Sequence, residues 1–226
     1  MSSTTTDADR GLFIVLEGPD GAGKTTQAAL LSGWFEALGL THVATREPGG
    51  TAVGEAIRSV VLGRTDLEMP PESELLLILA ARAAFVAEVV RPALDAGTTV
   101  LADRFSLSTL AYQGYGRGLN LDRVRRGIEI STDGLEPDLY LVLDVPVEEG
   151  RARQLRSGQE EDRIEQAGLD FRRAVRDGYL ELADGEAAVE VIDGRGSPDD
   201  VHQELRKRLT ARFPDRFGAG RADSVR

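Results

Sequence analysis

A glycine-rich segment near the start of the chain contains residue types that bind nucleotide phosphates. It matches the pattern G-x-x-x-x-G-K-T and directly follows the apolar run 12–16. In such a loop the glycines turn backbone N–H groups toward the phosphates, the lysine reaches the β- and γ-phosphates, and the threonine hydroxyl can join a Mg²⁺ shell. A helix that begins at the lysine adds the positive end of its dipole. The residues predicted to bind ATP or GTP are Gly18, Pro19, Asp20, Gly21, Ala22, Gly23, Lys24 and Thr25.

A carboxylate and a guanidinium follow the apolar run 98–102. Asp103 and Arg104 would lie beyond the carboxyl end of a strand, where open parallel sheets bind ligands. An Asp-Arg dipeptide is often an ordinary surface ion pair, but its position here favours metal and phosphate binding. Arginine can hold a phosphate with two parallel hydrogen bonds. We predict that Thr25 and Asp103 bind Mg²⁺, and that Lys24, Asp103 and Arg104 act in catalysis.

Two further segments contain arginines at positions that suit a second anionic ligand. The turn 46–51 reads Arg-Glu-Pro-Gly-Gly-Thr, which is either a tight loop or a wall of an acceptor pocket that includes Arg46 and Glu47. Arg82 interrupts the apolar helical run 75–81. A charge on such a face needs an anionic or carbonyl partner, unless the side chain reaches the helix surface.

A second arginine cluster surrounds the polar segment 157–162. Arg151, Arg153, Arg156 and Arg163 flank this segment, which contains a glycine and no apolar anchor. The pattern is typical of a mobile lid, and an arginine that arrives with lid closure can stabilise a phosphoryl group in transfer while excluding water. An exposed helix with i,i+4 ion pairs explains Arg151 and Arg153 equally well, but it explains the other two less readily.

Short β-branched runs alternate with helical stretches along the chain. The predicted strands cover residues 12–17, 43–45, 98–102, 139–144 and 189–193. The predicted helices cover 24–38, 53–62, 73–96, 106–113, 121–131, a charged stretch from 148, 169–183 and a last helix capped by Ser197. Strands joined by crossover helices indicate an α/β fold with a five-stranded parallel sheet flanked by helices.

Composition limits the partners that this chain can have. Lys and Arg total 27 against 38 Asp and Glu, a net charge of -11, which disfavours nucleic acid and anionic membrane surfaces. The absence of cysteine excludes disulfides, thiolate metal sites and cysteine nucleophiles. No apolar run approaches the ~20 residues of a membrane span. We predict a cytoplasmic protein with a flexible N-terminus over 1–10, one domain over 11–213, a lid at about 151–165, and a flexible tail over 214–226.

Six motifs, in the same order along the chain, resemble the thymidylate kinase family. They are residues 17–26, 46–51, 80–82, 103–105, 108–114 and 162–165, and the likeness extends from about Phe13 to Leu209. The resemblance implies a P-loop nucleoside monophosphate kinase fold and a homodimer built from helices. It also implies transfer of the γ-phosphoryl group of MgATP to dTMP. The attacking phosphate oxygen is already anionic, so direct in-line transfer needs no general base.

The resemblance implies a role for individual residues as well. Lys24 corresponds to the residue that binds the ATP phosphates, and Arg104 to the one that binds the dTMP phosphate. The implied substrate-binding residues are Asp20, Arg46, Ile78, Arg82, Arg104, Thr109, Tyr112 and Gln113. Asp20 corresponds to the sugar 3′-hydroxyl region, Arg82 with Thr109 to the thymine edge, and Tyr112 to a place under the sugar.

Two features of the sequence distinguish this chain among members of the family. The phosphate loop has no cation other than Lys24, so the catalytic arginine is expected in the lid, with Arg156 as the first candidate. Ile78 stands where the family commonly has an aromatic residue that stacks on thymine. Either Phe85 or Phe105 takes over that contact, or the base is held more weakly.

Other functions remain open at this point. A deoxynucleoside kinase would need a base for a neutral 5′-hydroxyl and would accept thymidine, and another nucleoside monophosphate kinase would keep the fold with a different base pocket. A regulatory P-loop ATP-binding module would turn over slowly. The two separate arginine groups favour an enzyme with two phosphorylated ligands over such a module.

Overall fold

The computed structural model describes residues 10–158 and 162–218. The predicted flexible N-terminus therefore lies outside the described residues except for Arg10. Residues 159–161 of the predicted lid and residues 219–226 of the predicted tail lie outside them too.

In the described part of the chain, five parallel strands form one sheet. The strands are β1 (Phe13–Glu17), β2 (His42–Arg46), β3 (Thr99–Asp103), β4 (Leu139–Asp144) and β5 (Val189–Asp193), in the spatial order β2-β3-β1-β4-β5. Leu16 of the central strand lies opposite Asp103 on one side and Leu141 on the other. The loop after β1 is therefore flanked by the ends of β3 and β4, and the predicted α/β class is confirmed.

Helices cover both faces of the sheet. They are α1 (Lys24–Ala37), α2 (Ala52–Val61), α3 (Pro71–Phe85), α4 (Arg91–Asp95), α5 (Ser106–Thr109), α6 (Leu121–Thr132), α7 (Val147–Ser157), α8 (Leu169–Ala183), α9 (Pro198–Arg212) and α10 (Pro214–Phe217). Two π-helical segments, Val86–Val90 and Leu110–Gly116, and a 3₁₀ turn, Glu165–Ala167, complete the helical elements of the described residues. Every residue of β1 is fully buried, as expected for a parallel strand that is covered on both faces.

Two of the predicted helices are interrupted. The predicted helix 73–96 begins at Pro71 and is divided by the π-helical segment Val86–Val90. Pro92 has no N–H to donate to the carbonyl four residues earlier. The helical turn before it therefore takes in one extra residue, as in a π-helix, and α-helical geometry resumes at Arg91. The predicted helix 106–113 continues as the π-helical segment Leu110–Gly116. Tyr112 and Gln113 lie on this segment.

Both chain ends differ from the prediction at the residues nearest the domain. Pro214–Phe217, predicted as the start of a flexible tail, forms a helical turn instead. The reason is hydrophobic burial, because Phe217 is 3% exposed and stacks on Trp34 with 5.2 Å between ring centroids. Arg10, predicted as part of the flexible N-terminus, forms an ion pair of 3.3 Å with Asp138.

Candidate active site

The phosphate-binding loop lies between β1 and α1 and wraps around its own lysine. Lys24 Nζ donates hydrogen bonds of 2.9 and 3.0 Å to the carbonyl oxygens of Gly18 and Pro19. Gly18 and Gly21 have φ values of 130° and 79°, in the region that favours glycine. A Cβ atom on Gly21 would also lie 2.1 Å from the Gly150 carbonyl oxygen. The close packing against the start of α7 therefore requires glycine.

Lys24 is buried in a cationic environment. It is 7% exposed, and burial together with the nearby Arg104 lowers its pKa to about 8. An anion bound in the loop would favour the charged form and raise this pKa again. The loop is therefore an electrostatic site that a polyphosphate completes.

The two predicted metal ligands lie in contact. Thr25 Oγ1 donates a hydrogen bond of 3.1 Å to Asp103 Oδ2. A hydroxyl and a carboxylate beside a phosphate-binding loop are oxygen ligands of the kind that Mg²⁺ prefers. Among the described residues there is no cluster of three or more His, Cys, Asp or Glu side chains arranged for a metal. Phosphate oxygens and water would therefore have to supply most of the ligands.

Arg104 lies at the centre of the site. It adopts a left-handed backbone conformation with φ 78°, and its guanidinium lies between the phosphate loop and α8. Its hydrogen-bond acceptors are Gly18 O, Asp20 Oδ1, Ser108 Oγ, Tyr112 Oη and Tyr179 Oη. Burial would raise the pKa of Asp20, but Arg104 and Lys24 hold it below its usual value. Asp20 therefore stays anionic and keeps the guanidinium in place.

Glu17 fixes the loop that contains Arg104, a function that the sequence analysis missed. Its Oε1 accepts hydrogen bonds of 2.8 and 3.1 Å from the backbone N–H groups of Phe105 and Ser108. Its Oε2 accepts 2.5 and 2.9 Å bonds from the hydroxyls of Ser108 and Tyr179. Burial raises the pKa of Glu17. A charged residue at the end of an otherwise apolar buried strand is the sequence signal for such an anchor.

Arg82 has both kinds of partner that its apolar surroundings require. It is 1% exposed, and its Nε donates a 2.8 Å hydrogen bond to Glu47 Oε2. Its Nη2 donates a 2.9 Å bond to the Phe105 carbonyl oxygen, and the guanidinium lies over the Phe105 ring. One buried polar atom of Arg82, one of Glu47 and one of Thr109 have no hydrogen-bond partner within the described residues. They are Arg82 Nη1, Glu47 Oε1 and Thr109 Oγ1. Buried polar atoms of this kind need a partner, so this cluster is arranged for a ligand.

One open cavity of about 330 Å³ connects these groups. Thirteen of the predicted site residues line it: Asp20, Gly21, Gly23, Lys24, Thr25, Arg46, Ile78, Arg82, Asp103, Arg104, Thr109, Tyr112 and Gln113. Gly18, Pro19 and Ala22 belong to the loop but not to the lining. Phe85 and Phe105 are fully buried and do not line the cavity. Neither ring is therefore placed to stack on a base in the cavity beside Ile78.

The lid arginines take different positions. Arg156 lies in the last turn of α7, is exposed, and does not line the cavity. Arg163 is 10% exposed and forms a 2.5 Å ion pair with the buried Glu74. The predicted lid is therefore anchored at Arg163, next to the segment 157–162 in which the sequence shows no apolar anchor.

Two cations near the cavity were missed by the sequence analysis. Arg58 on α2 lines the cavity and donates a 3.0 Å hydrogen bond to the Pro48 carbonyl oxygen. Arg172 on α8 lies next to Asp20 and donates a 2.7 Å bond to Gln154 of α7. Arg172 lies on a helix rich in charged residues, where composition does not separate an arginine that faces the site from an exposed one. Arg58 is one of two charged residues on the mostly apolar α2.

A phosphate-binding loop at the centre of a parallel sheet, facing a second group of arginines across one cavity, defines a P-loop kinase of the nucleoside monophosphate kinase fold. The family model described as thymidylate kinase matches residues 16–205. The chain therefore belongs to the thymidylate kinase family.

Individual relatives agree with this assignment. Thymidylate kinase of Carboxydothermus hydrogenoformans is 44% identical over 197 residues, covering 87% of this chain and 96% of that protein. Thymidylate kinase of Desulforudis audaxviator is 53% identical over 174 residues, covering 76% and 78%. The crystal structure of thymidylate kinase from Ehrlichia chaffeensis aligns with a TM-score of 0.73 at 31% identity, covering 88% of this chain and 99% of that one. In the described residues, no helix is long and apolar enough to cross a membrane.

Proposed function

We propose that the protein transfers the γ-phosphoryl group of MgATP to dTMP, giving ADP and dTDP in the synthesis of dTTP. The observation that carries this proposal is that one cavity is lined both by the phosphate-binding loop and by Arg82, Glu47 and Thr109, each of which has a buried polar atom without a partner among the described residues. Arg104 lies between the two ends. The cavity thus offers a place for a base, a place for its phosphate, and a place for the donor phosphates.

At the donor end, the loop residues 18–25 hold the ATP phosphates and Lys24 binds their outer oxygens. Thr25 and Asp103 hold Mg²⁺, which neutralises phosphate charge when it is bound. Because Lys24 is buried beside Arg104, bound phosphates would stabilise its charged form in a site where little water can do so.

At the acceptor end, Arg82 and Thr109 read the edge of the base. Arg82 Nη1 is a donor only, so it suits the 4-carbonyl oxygen of thymine and cannot pair with the 4-amino group of cytosine. The Thr109 hydroxyl can accept the thymine N3–H. A site whose buried polar groups stay unpaired with the wrong base discriminates strongly against it. Ile78 and the rest of the apolar wall pack on the ring.

Arg104 holds the acceptor phosphate, and Tyr112 and Asp20 position it. The Tyr112 hydroxyl donates a 2.8 Å hydrogen bond to Asp20 Oδ2, and Arg104 lies 4.8 Å above the tyrosine ring. A ring fixed in this way occupies space under the sugar, and we expect it to disfavour a ribose 2′-hydroxyl. The preference for deoxynucleotides would then come from steric exclusion.

The transfer itself relies on position and charge. The attacking phosphate oxygen is anionic, so no general base is required, and Lys24 with Arg104 stabilises the charge that spreads over the transferred group. The lid, residues 151–165, closes over the phosphates, and Arg156 at its near end is the proposed source of the additional cation. Arg46, Arg58 and Gln113 complete the acceptor wall.

The homodimer is part of the proposal. Large apolar side chains are exposed on three neighbouring helices: Val53 and Val60 on α2, Leu76 on α3 and Ile130 on α6. Ile130 is 83% exposed. Burial of this surface against a second copy would remove apolar area from water. The cytoplasmic location stays a prediction from the sequence.

A substrate panel tests the proposed function. Purified protein is mixed with MgATP and, separately, dTMP, dUMP, dCMP, AMP, GMP or thymidine, and ADP formation is followed. Selective turnover of dTMP is the expected result. Turnover of dCMP in preference to dTMP would refute the role of Arg82 at the base edge. Turnover of thymidine alone would indicate a deoxynucleoside kinase. If no ADP forms with any of these compounds, the enzyme assignment is refuted.

A further inference from the structure

Glu74 is a buried carboxylate in the first turn of α3 that the reaction above does not use. It is 1% exposed. Its Oε1 accepts hydrogen bonds of 2.9 Å from Gln113 Nε2 and 3.1 Å from Arg117 Nε, and its Oε2 accepts bonds of 3.0 Å from Arg117 Nη2 and 2.5 Å from Arg163 Nη2. Burial opposes the charge of Glu74, but the three donors lower its pKa below the usual value. One carboxylate thus joins three segments that are distant in sequence.

One of these segments is the far end of the predicted lid. Besides its ion pair with Glu74, Arg163 donates a 2.8 Å hydrogen bond from Nε to the Val61 carbonyl oxygen, and its backbone N–H donates a 3.1 Å bond to the Leu62 carbonyl oxygen. Ile164 is 7% exposed and packs in the core on this side of the sheet. The far end of the lid is therefore fastened to the end of α2 and to α3, not to the donor side of the sheet.

The near end of the lid is fastened to the opposite side of the site. Arg153 on α7 donates a 2.9 Å hydrogen bond to the Gly194 carbonyl oxygen, in the loop that follows β5. Arg153 and Arg163, which lie on either side of the undescribed residues 159–161, are thus fastened to different elements around the site. Asp162 and Ile164 from its far end line the shared cavity.

Of the other two partners of Glu74, Gln113 belongs to the acceptor wall and Arg117 lies outside the cavity lining. Gln113 lines the cavity. Arg117 lies 4.6 Å over the Phe171 ring, and that ring packs edge-on against Tyr112 with 6.1 Å between centroids. The same carboxylate therefore contacts the wall that a nucleoside monophosphate would touch and the arm that must cover the phosphates.

We propose that Glu74 is a positioning residue that couples acceptor binding to lid position through Arg163. Glu74 holds Gln113 and Arg163 at the same time, so an acceptor that contacts Gln113 strengthens the hold of the same carboxylate on Arg163 and on the cavity-lining residues beside it. Binding of the acceptor then increases affinity for the donor, and by thermodynamic linkage the donor increases affinity for the acceptor by the same factor. This inference rests on the proposed function, because it assumes two nucleotide sites that a lid covers.

A purely structural role for Glu74 makes a different prediction, and a matched pair of variants separates the two. Arg163→Gln removes the arginine that belongs to the lid, while Arg117→Gln removes an arginine from the same carboxylate without touching the lid. If Glu74 serves only to satisfy the core, the two variants should behave alike, since each leaves Glu74 with one arginine and Gln113.

The experiment measures binding of a non-hydrolysable ATP analogue to the whole protein with and without saturating dTMP. We expect dTMP to tighten this binding by about fivefold or more in the wild type and in Arg117→Gln, and by less than about twofold in Arg163→Gln. We also expect Arg163→Gln to lower kcat by about tenfold while KM for dTMP changes little, because the pocket wall is intact. Equal coupling in both variants, or no coupling in the wild type, would overturn the inference.

Two controls keep the result interpretable. Arg163→Lys retains the charge beside Glu74 but loses the geometry that reaches Val61, so it should show intermediate coupling. It takes the place of Arg163→Gln if that variant does not fold. Wild-type turnover of dTMP is measured first and tests the proposed function by itself. Active wild type with unchanged coupling in both Arg163 variants would therefore refute the role of Glu74 and leave the kinase assignment standing.

Discussion

Replacement of Arg82 by methionine separates two tasks that the structure gives to this buried arginine. Arg82 neutralises Glu47, which is 5% exposed, through a 2.8 Å ion pair. It also lines the acceptor cavity, and its Nη1 has no partner among the described residues. Methionine fills a similar volume and removes both the charge and the donor. The first loss affects stability and the second affects recognition of the base.

The two losses have different magnitudes. Removing one partner of a buried ion pair leaves an uncompensated charge and costs about 3–5 kcal/mol of unfolding free energy. Losing one hydrogen bond from a charged donor costs about 1.5–3 kcal/mol, which is roughly 10- to 100-fold in kcat/KM for dTMP. The double variant Arg82→Met with Glu47→Gln removes the stranded charge as well. We expect it to recover more than half of the lost stability and none of the lost kcat/KM.

Denaturant unfolding and steady-state kinetics on the single and double variants measure both quantities. A stability loss below about 1 kcal/mol in Arg82→Met would show that Glu47 is not held by this pair. Recovery of dTMP turnover in the double variant would show that the arginine acts on activity only through stability. The first result would refute the stability argument, and the second would refute the argument for base recognition.

Further predictions concern the cations around the phosphates. Lys24→Met and Arg104→Ala should each lower turnover by about a hundredfold or more while the protein stays folded, as judged by circular dichroism, and near-normal turnover in either would refute its role. Arg156→Ala should lower kcat more than it weakens dTMP binding, whereas retained kcat would move the lid contribution to another residue. Because the pKa of Lys24 in the free enzyme is about 8, kcat/KM for ATP should fall as pH rises through that value, and kcat should hold to higher pH since bound phosphates favour the charged lysine.

The parts of the site that could be predicted from the sequence are those encoded in short contiguous patterns. The loop 18–25 requires glycines in fixed positions, and the structure shows why, since a side chain at Gly21 would collide with the backbone of Gly150. Asp103 and Arg104 follow a strand, so topology alone places them beside that loop. Arg82 was marked by its apolar surroundings, and both kinds of partner that it needed are present.

The parts that escaped prediction depend on contacts between distant segments. Glu74 and Arg163 are separated by 89 residues, and Glu72 and Glu74 both look like the acidic residues that favour a helix N-terminus. A weak signal did exist, because Glu74, Ile78 and Arg82 recur at intervals of four and so share one face of α3. That spacing places a carboxylate on the same face as the predicted acceptor residues. Nothing in the pattern, however, identifies which arginine it binds.

Buried carboxylates explain how a chain with a net charge of -11 forms a site for polyanions. Glu17, Glu47 and Glu74 are each at most 5% exposed, and each binds an element that presents an arginine: the loop of Arg104, the side chain of Arg82, and the lid end at Arg163. Isolated buried charges are costly, and these acids are compensated: Glu17 and Glu74 by several donors each, and Glu47 by its ion pair with Arg82. The arginines gain fixed positions from them, and a cation that is already fixed stabilises a transition state without reorganising. Net charge therefore says little about the cleft, whose field is set by which acids are buried and which cations they hold.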